Sequence, residues 1–78
     1  MLTFDFTIAC RPSEALPKDA VEQIATQCGL CVLTTLVATS SNIRFAGSAE
    51  PRAVRIFAEQ LLTVRGVLSV RVDPVTLN

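Results

Sequence analysis

A chain of 78 residues with seven Lys or Arg against seven Asp or Glu, no histidine and half of its residues hydrophobic has the composition of one small folded domain over 1–78. Zero net charge excludes the broad basic footprint by which proteins hold nucleic acid or anionic membrane. The lack of histidine excludes Ser-His and Cys-His pairs, a histidine general base and imidazole metal ligands.

The order of periodicities along the chain is two, 3.6, two, two, 3.6, two. Leu2, Phe4, Phe6, Ile8 and Cys10 alternate with Thr3, Asp5, Thr7 and Ala9, the pattern of a strand with one buried face. Arg11-Pro12-Ser13 ends it, and Pro17 suits the first turn of a helix in which Val21, Ile24 and Cys28 form a narrow stripe flanked by Ala20 and Ala25. Gly29 occupies the place of a left-handed C-terminal cap. Residues 30–39 are largely apolar or β-branched and predict one strand, and Ser40-Ser41-Asn42 predicts the turn into a short third strand through Ile43, Phe45 and Gly47. Ser48 or Glu50 is the expected cap of a second helix with Pro51 in its first turn and Val54, Phe57, Ala58, Leu61 and Leu62 on one face. Gly66 stops it, and Leu68, Val70 and Val72 alternate in a last strand that Pro74 ends.

This βαββαβ order predicts a ferredoxin-like α+β sandwich: a four-stranded antiparallel sheet in the order 4-1-3-2 with two helices on one face. The expected core is Phe4, Phe6, Ile24, Phe45, Val54, Phe57, Leu61 and Val70. The open face would carry Thr3, Asp5, Thr7, Arg44, Ala46, Ser69 and Arg71, with Asp5 placed for cross-strand pairing to Arg44 and Arg71. The simplest reading of these charges is a solvated set, since exposed pairs contribute less than about 1 kcal/mol. An RNA-binding sheet would need aromatic residues on that face, whereas Phe4, Phe6 and Phe45 follow the core parity.

No apolar run is long enough to span a bilayer, and no basic segment followed by an apolar stretch predicts a signal peptide. Three cysteines, Cys10, Cys28 and Cys31, are then expected as reduced thiols in the cytoplasm. Cys28-Gly29-Leu30-Cys31 matches the bare C-x-x-C pattern of redox or thiolate metal sites. It closes a helix, where the dipole disfavours a thiolate, so the two cysteines are read first as small hydrophobes and as metal ligands only if subunits pair. Arg11-Pro12-Ser13 precedes a helix start whose N–H groups can receive an anion, and the ligand and plain-turn readings stand level.

Ala58-Glu59-Gln60-Leu61-Leu62 and Arg65-Gly66-Val67 resemble the second helix and last-strand entry of the ACT-like group, most closely the C-terminal regulatory domains of nickel-responsive repressors. Thr35-Leu36-Val37-Ala38-Thr39 resembles their Thr-Leu-His-Val-His stretch, with Val37 and Thr39 in place of both histidines. Cys10-Arg11-Pro12-Ser13 is similar to the Asp-Arg-Pro-Gly turn of amino-acid-binding ACT domains. The resemblance implies a non-enzymatic, homo-oligomeric ligand-sensing domain of the kind found in transcriptional regulators, without cofactor, nickel site or DNA-binding segment, with Arg11, Pro12 and Ser13 as ligand-binding residues. A second likeness, to the maturation chaperones of periplasmic nitrate reductase, rests on the Gly-Val-Leu entry to the last strand and implies peptide binding instead. A thiolate metal-binding protein through Cys28 and Cys31 is the third expectation.

Overall fold

The computed structural model describes residues 2–14, 17–34, 37–39 and 41–75. Strand β1 (Leu2–Cys10) buries Phe4, Phe6, Ile8 and Cys10 on one side, as its alternation requires. It lies at the centre of the sheet, antiparallel to β4 (Asn42–Ala49) on one side and to β5 (Val67–Pro74) on the other. Helix α1 (Lys18–Gln27) presents Val21 and Ala25, and helix α2 (Pro51–Leu62) presents Val54, Phe57 and Leu61, to the same core. Phe6 stacks on Phe45 with ring centroids 4.8 Å apart, and Phe57 meets both edge-on at 5.4 and 5.9 Å.

The expected second strand does not form as one piece. It is broken into β2 (Cys31–Val32) and β3 (Val37–Ala38), both paired with β4, so the sheet has five strands in the order β2-β4-β1-β5 with β3 also on β4, rather than four in the order 4-1-3-2. Register gives the cause: Val32 lies opposite Gly47 and Val37 opposite Arg44, so the outer ribbon takes five steps where β4 takes three. Between them the Leu33 N–H donates to the Ala46 carbonyl at 2.9 Å and the Ala46 N–H donates to the Thr34 hydroxyl at 2.9 Å, a side chain standing where a strand carbonyl would be. β-branched composition favours extended backbone and is blind to such an excess.

The predicted core is corrected at two positions. Ile24 and Val70 are half-buried, while Ile8, Val21, Ala25, Leu30, Ile43 and Ala49 join Phe4, Phe6, Phe45, Val54, Phe57 and Leu61 in the interior. Glu50, not Ser48, is the α2 cap position, with no side-chain hydrogen bond, and Pro51 takes the first helical position. Gly29 and Gly66 adopt φ of 91° and 94°; Gly29 directly follows the α1 cap Cys28 as expected, whereas α2 ends at Leu62 with Thr63 as its cap, so Gly66 does not stop that helix but turns the chain into β5.

Candidate functional site on the open face of the sheet

Opposite the helices, the alternate residues of the three long strands form a polar face. Thr7 stands directly between Arg44 of β4 and Arg71 of β5, and Asp5 stands between Ala46 and Asp73. The expected pairing of Asp5 with both arginines is therefore not made. Arg71 Nε instead binds Asp73 Oδ2 along its own strand at 3.0 Å, and among the described residues Arg44 forms no ion pair. The reason is register: the arginines are level with Thr7, one row beyond Asp5, and Asp73 is the carboxylate next to Arg71 on the same face of its own strand.

Two hollows open on this face and share Arg44. One, of about 300 Å³, is lined by Asp5, Thr34, Val37, Arg44 and Ala46 and exists because β2 and β3 part at this point. The other is lined by Thr7, Thr39, Asn42, Arg44, Arg71 and Asp73. Thr39 is fixed by its neighbours, its hydroxyl accepting from the Asn42 N–H at 3.0 Å. A guanidinium that makes no ion pair among the described residues, beside hydroxyl and amide groups, is chemistry for a small anion, with Asp5 and Asp73 as the carboxylates of the two hollows.

Sequence reasoning does not single out Asn42 or Thr34 for this site. Asn42 is findable by extending the β4 alternation back by two from Arg44, whereas Thr34 reaches the site only through the break between β2 and β3.

The Arg11-Pro12-Ser13 segment lies elsewhere, in a single 3-10 turn over Pro12–Glu14, and all three residues are exposed. The Arg11 N–H donates to the Gly66 carbonyl at 2.8 Å and the Arg11 carbonyl accepts from the Glu14 N–H at 2.9 Å. Glu14 Oε2 then binds Arg65 Nε at 2.7 Å. The turn thus docks on the loop that leads into β5. Helix α1 starts only at Lys18, after Ala15 and Leu16, which lie outside the described residues.

The two cysteines of the C-x-x-C pair are not brought together in one layer. Cys28 caps α1, half-buried, with its thiol 3.5 Å from Gln60 Oε1 of α2, and burial raises its pKa. Cys31 is exposed on β2, opposite Ser48 in the open-face row. Among the described residues no group of three or more His, Cys, Asp or Glu is placed to hold a metal ion, and no helix is long and apolar enough to cross a membrane. Part of the repressor-like stretch falls outside the described residues at Thr35 and Leu36.

The elements and their order define a two-layer α+β domain with one sealed and one open sheet face. No known protein family matches the sequence, and no curated protein matches it.

Proposed function

We propose that the chain is a non-enzymatic regulatory module of ACT-like, ferredoxin-like type that senses a small anionic metabolite and self-associates. Counting β2 and β3 as the two halves of one interrupted strand brings the strand order to the ferredoxin-like one, which supports the fold part of the reading. The observation that carries the function is Arg44, an exposed guanidinium at the meeting point of two hollows on the uncovered sheet face, with Thr7, Thr39 and Asn42 beside it. The exposed Arg11 guanidinium and Ser13 hydroxyl are a second place for the anion, with the Arg11 N–H already committed to Gly66.

A thermal-shift screen of carboxylate and phosphate metabolites tests this, because a ligand that binds only the folded state raises the melting temperature by mass action. The expected result is a shift that Arg44→Ala abolishes and Arg11→Ala and Ser13→Ala retain. Loss of the shift in Arg11→Ala alone would move the ligand to the turn. No shift with any small anion, together with stabilisation by an extended peptide, would replace the sensing reading by the peptide-binding one.

A further inference from the structure

Among the described residues strand β5 pairs with β1 alone, and its other edge is open. It runs for eight residues, Val67–Pro74, and its register with β1 shifts only at the start, between Ala9 and Cys10, leaving Ser69 to Pro74 regular. It carries no lysine, no inward-pointing charge and no proline before its last residue, the devices that ordinarily blunt an edge. The Val75 N–H donates to the Thr3 carbonyl at 2.9 Å, which fixes the direction of every group along the strand. Ser69, Arg71 and Asp73 turn their backbone groups towards β1, and Val70, Val72 and Pro74 turn theirs outwards.

We propose that this edge pairs antiparallel with β5 of a second copy of the chain about a two-fold axis through Val72, joining the two sheets into one. The occupant is identified by charge. Arg71 and Asp73 flank Val72 on the open face, so a dyad at Val72 sets each Arg71 opposite the Asp73 of the second copy. A dyad at Arg71 would oppose two arginines, one at Asp73 two aspartates, and one at Val70 would leave Arg71 facing Ser69. One register is therefore self-complementary and its neighbours are not.

The backbone fits the same register. The two Val72 residues exchange N–H and carbonyl bonds, and each Val70 N–H meets the carbonyl of the opposite Pro74, whose missing N–H leaves one gap at each end. Asp73 already faces Asp5 across the β1–β5 pair and has one cation, Arg71, at 3.0 Å; a second arginine from the other copy offsets that clustered negative charge. On the helix side the pairing covers Val70 and Val72, which the core leaves half-buried.

The inference deepens the self-association part of the proposed function, and rests on it in that respect only. Native mass and sedimentation are measured on the whole chain and on Arg71→Glu and Asp73→Arg, with circular dichroism to verify that each folds. Both side chains are exposed, so both variants are expected to fold and to dimerise at least about tenfold more weakly than the parent. An equimolar mixture of the two restores association as a heterodimer. The carboxylate introduced at position 71 of one chain then faces the guanidinium introduced at position 73 of the other, and the unaltered Asp73 of the first faces the unaltered Arg71 of the second. Misfolding cannot produce that outcome. A parent chain that stays monomeric at high micromolar concentration overturns the proposal. A dimer indifferent to both variants also overturns it and leaves association through another surface, and with it the sensing reading, standing. A monomeric parent that instead takes up an extended peptide overturns it too and assigns the edge to a peptide.

Discussion

The two edges of the sheet are built in opposite ways. On the β4 side the outer ribbon is two strands of two residues each, with a two-step excess between them and a threonine hydroxyl standing in for a strand carbonyl. On the β1 side the outer ribbon is eight continuous residues with an outward-facing backbone and a charge pattern that reads the same from a two-fold related copy. Each edge strand follows a glycine with positive φ, Gly29 directly after the α1 cap and Gly66 in the turn beyond α2, yet their surroundings differ. A Cβ on Gly29 would meet nothing within 4 Å, whereas one on Gly66 would lie 2.5 Å from the Glu14 carbonyl oxygen. The interrupted edge opens a hollow, while the continuous edge is anchored at its start and turns the backbone groups of Val70, Val72 and Pro74 outwards.

The largest effect comes from what both borders share. Phe57 is fully buried against Phe6 and Phe45, and Phe57→Ala should cost roughly 3 to 5 kcal/mol, comparable with the whole stability of such a domain. Denaturant unfolding measures the loss, and hydrogen exchange then tells whether β2 and β5 amides lose protection together. Protection that persists in β5 while β2 opens would make the two borders separate cooperative units.

Next come the two glycines. Gly66→Ala must relieve both a positive φ and a backbone clash with Glu14, an expected cost of roughly 2 to 4 kcal/mol, against about 1 kcal/mol for Gly29→Ala, which carries the φ strain alone. Equal losses in chemical denaturation would show that the Arg11–Glu14 turn gives way freely and anchors nothing. A smaller loss, about 0.5 to 1 kcal/mol, is expected for Thr34→Val, which removes the acceptor of the Ala46 N–H at the interrupted border. An unchanged midpoint there would mean that water replaces the hydroxyl at no cost.

What can be read from the residues divides along the same line. β1, β4 and β5 declare themselves because a sheet sealed on one face writes its register into a period of two, and α2 because Val54, Phe57 and Leu61 recur on one face. The break in the second strand is illegible, since an excess of two residues preserves the alternation on both sides of it and leaves no mark in β-branched composition. The parity of Arg44 and Arg71 is legible, but their partner is not: which carboxylate meets Arg71 depends on a stagger between strands that one sequence does not state. Spacing alone assigns Ile24 and Val70 to the core, and both lie at its margin, where the helix or edge strand turns away from the centre.

The smallest expected effect is one of rates and not of stability, and it separates the interrupted border from the interior by chemistry. The three thiols lie in three settings: Cys31 exposed on β2, Cys28 half-buried between α1 and α2, Cys10 buried at the end of β1. Alkylation requires the thiolate, and burial raises the Cys28 pKa, so at any pH below it a smaller fraction of Cys28 is reactive than of a thiol with the ordinary value. Cys31, exposed, should therefore label first and Cys28 more slowly, the Cys28 rate rising as the pH is raised, with Cys10 last because its reaction waits for opening of the strand. Mass-resolved labelling over a pH series gives the order directly. With Cys28 against α2 and Cys31 in the open-face row, nickel or zinc added to one chain should neither protect both thiols nor raise the melting temperature. Joint protection of Cys28 and Cys31 by metal would mean that two chains meet at the β2 border, and the contrast between the two edges would then collapse.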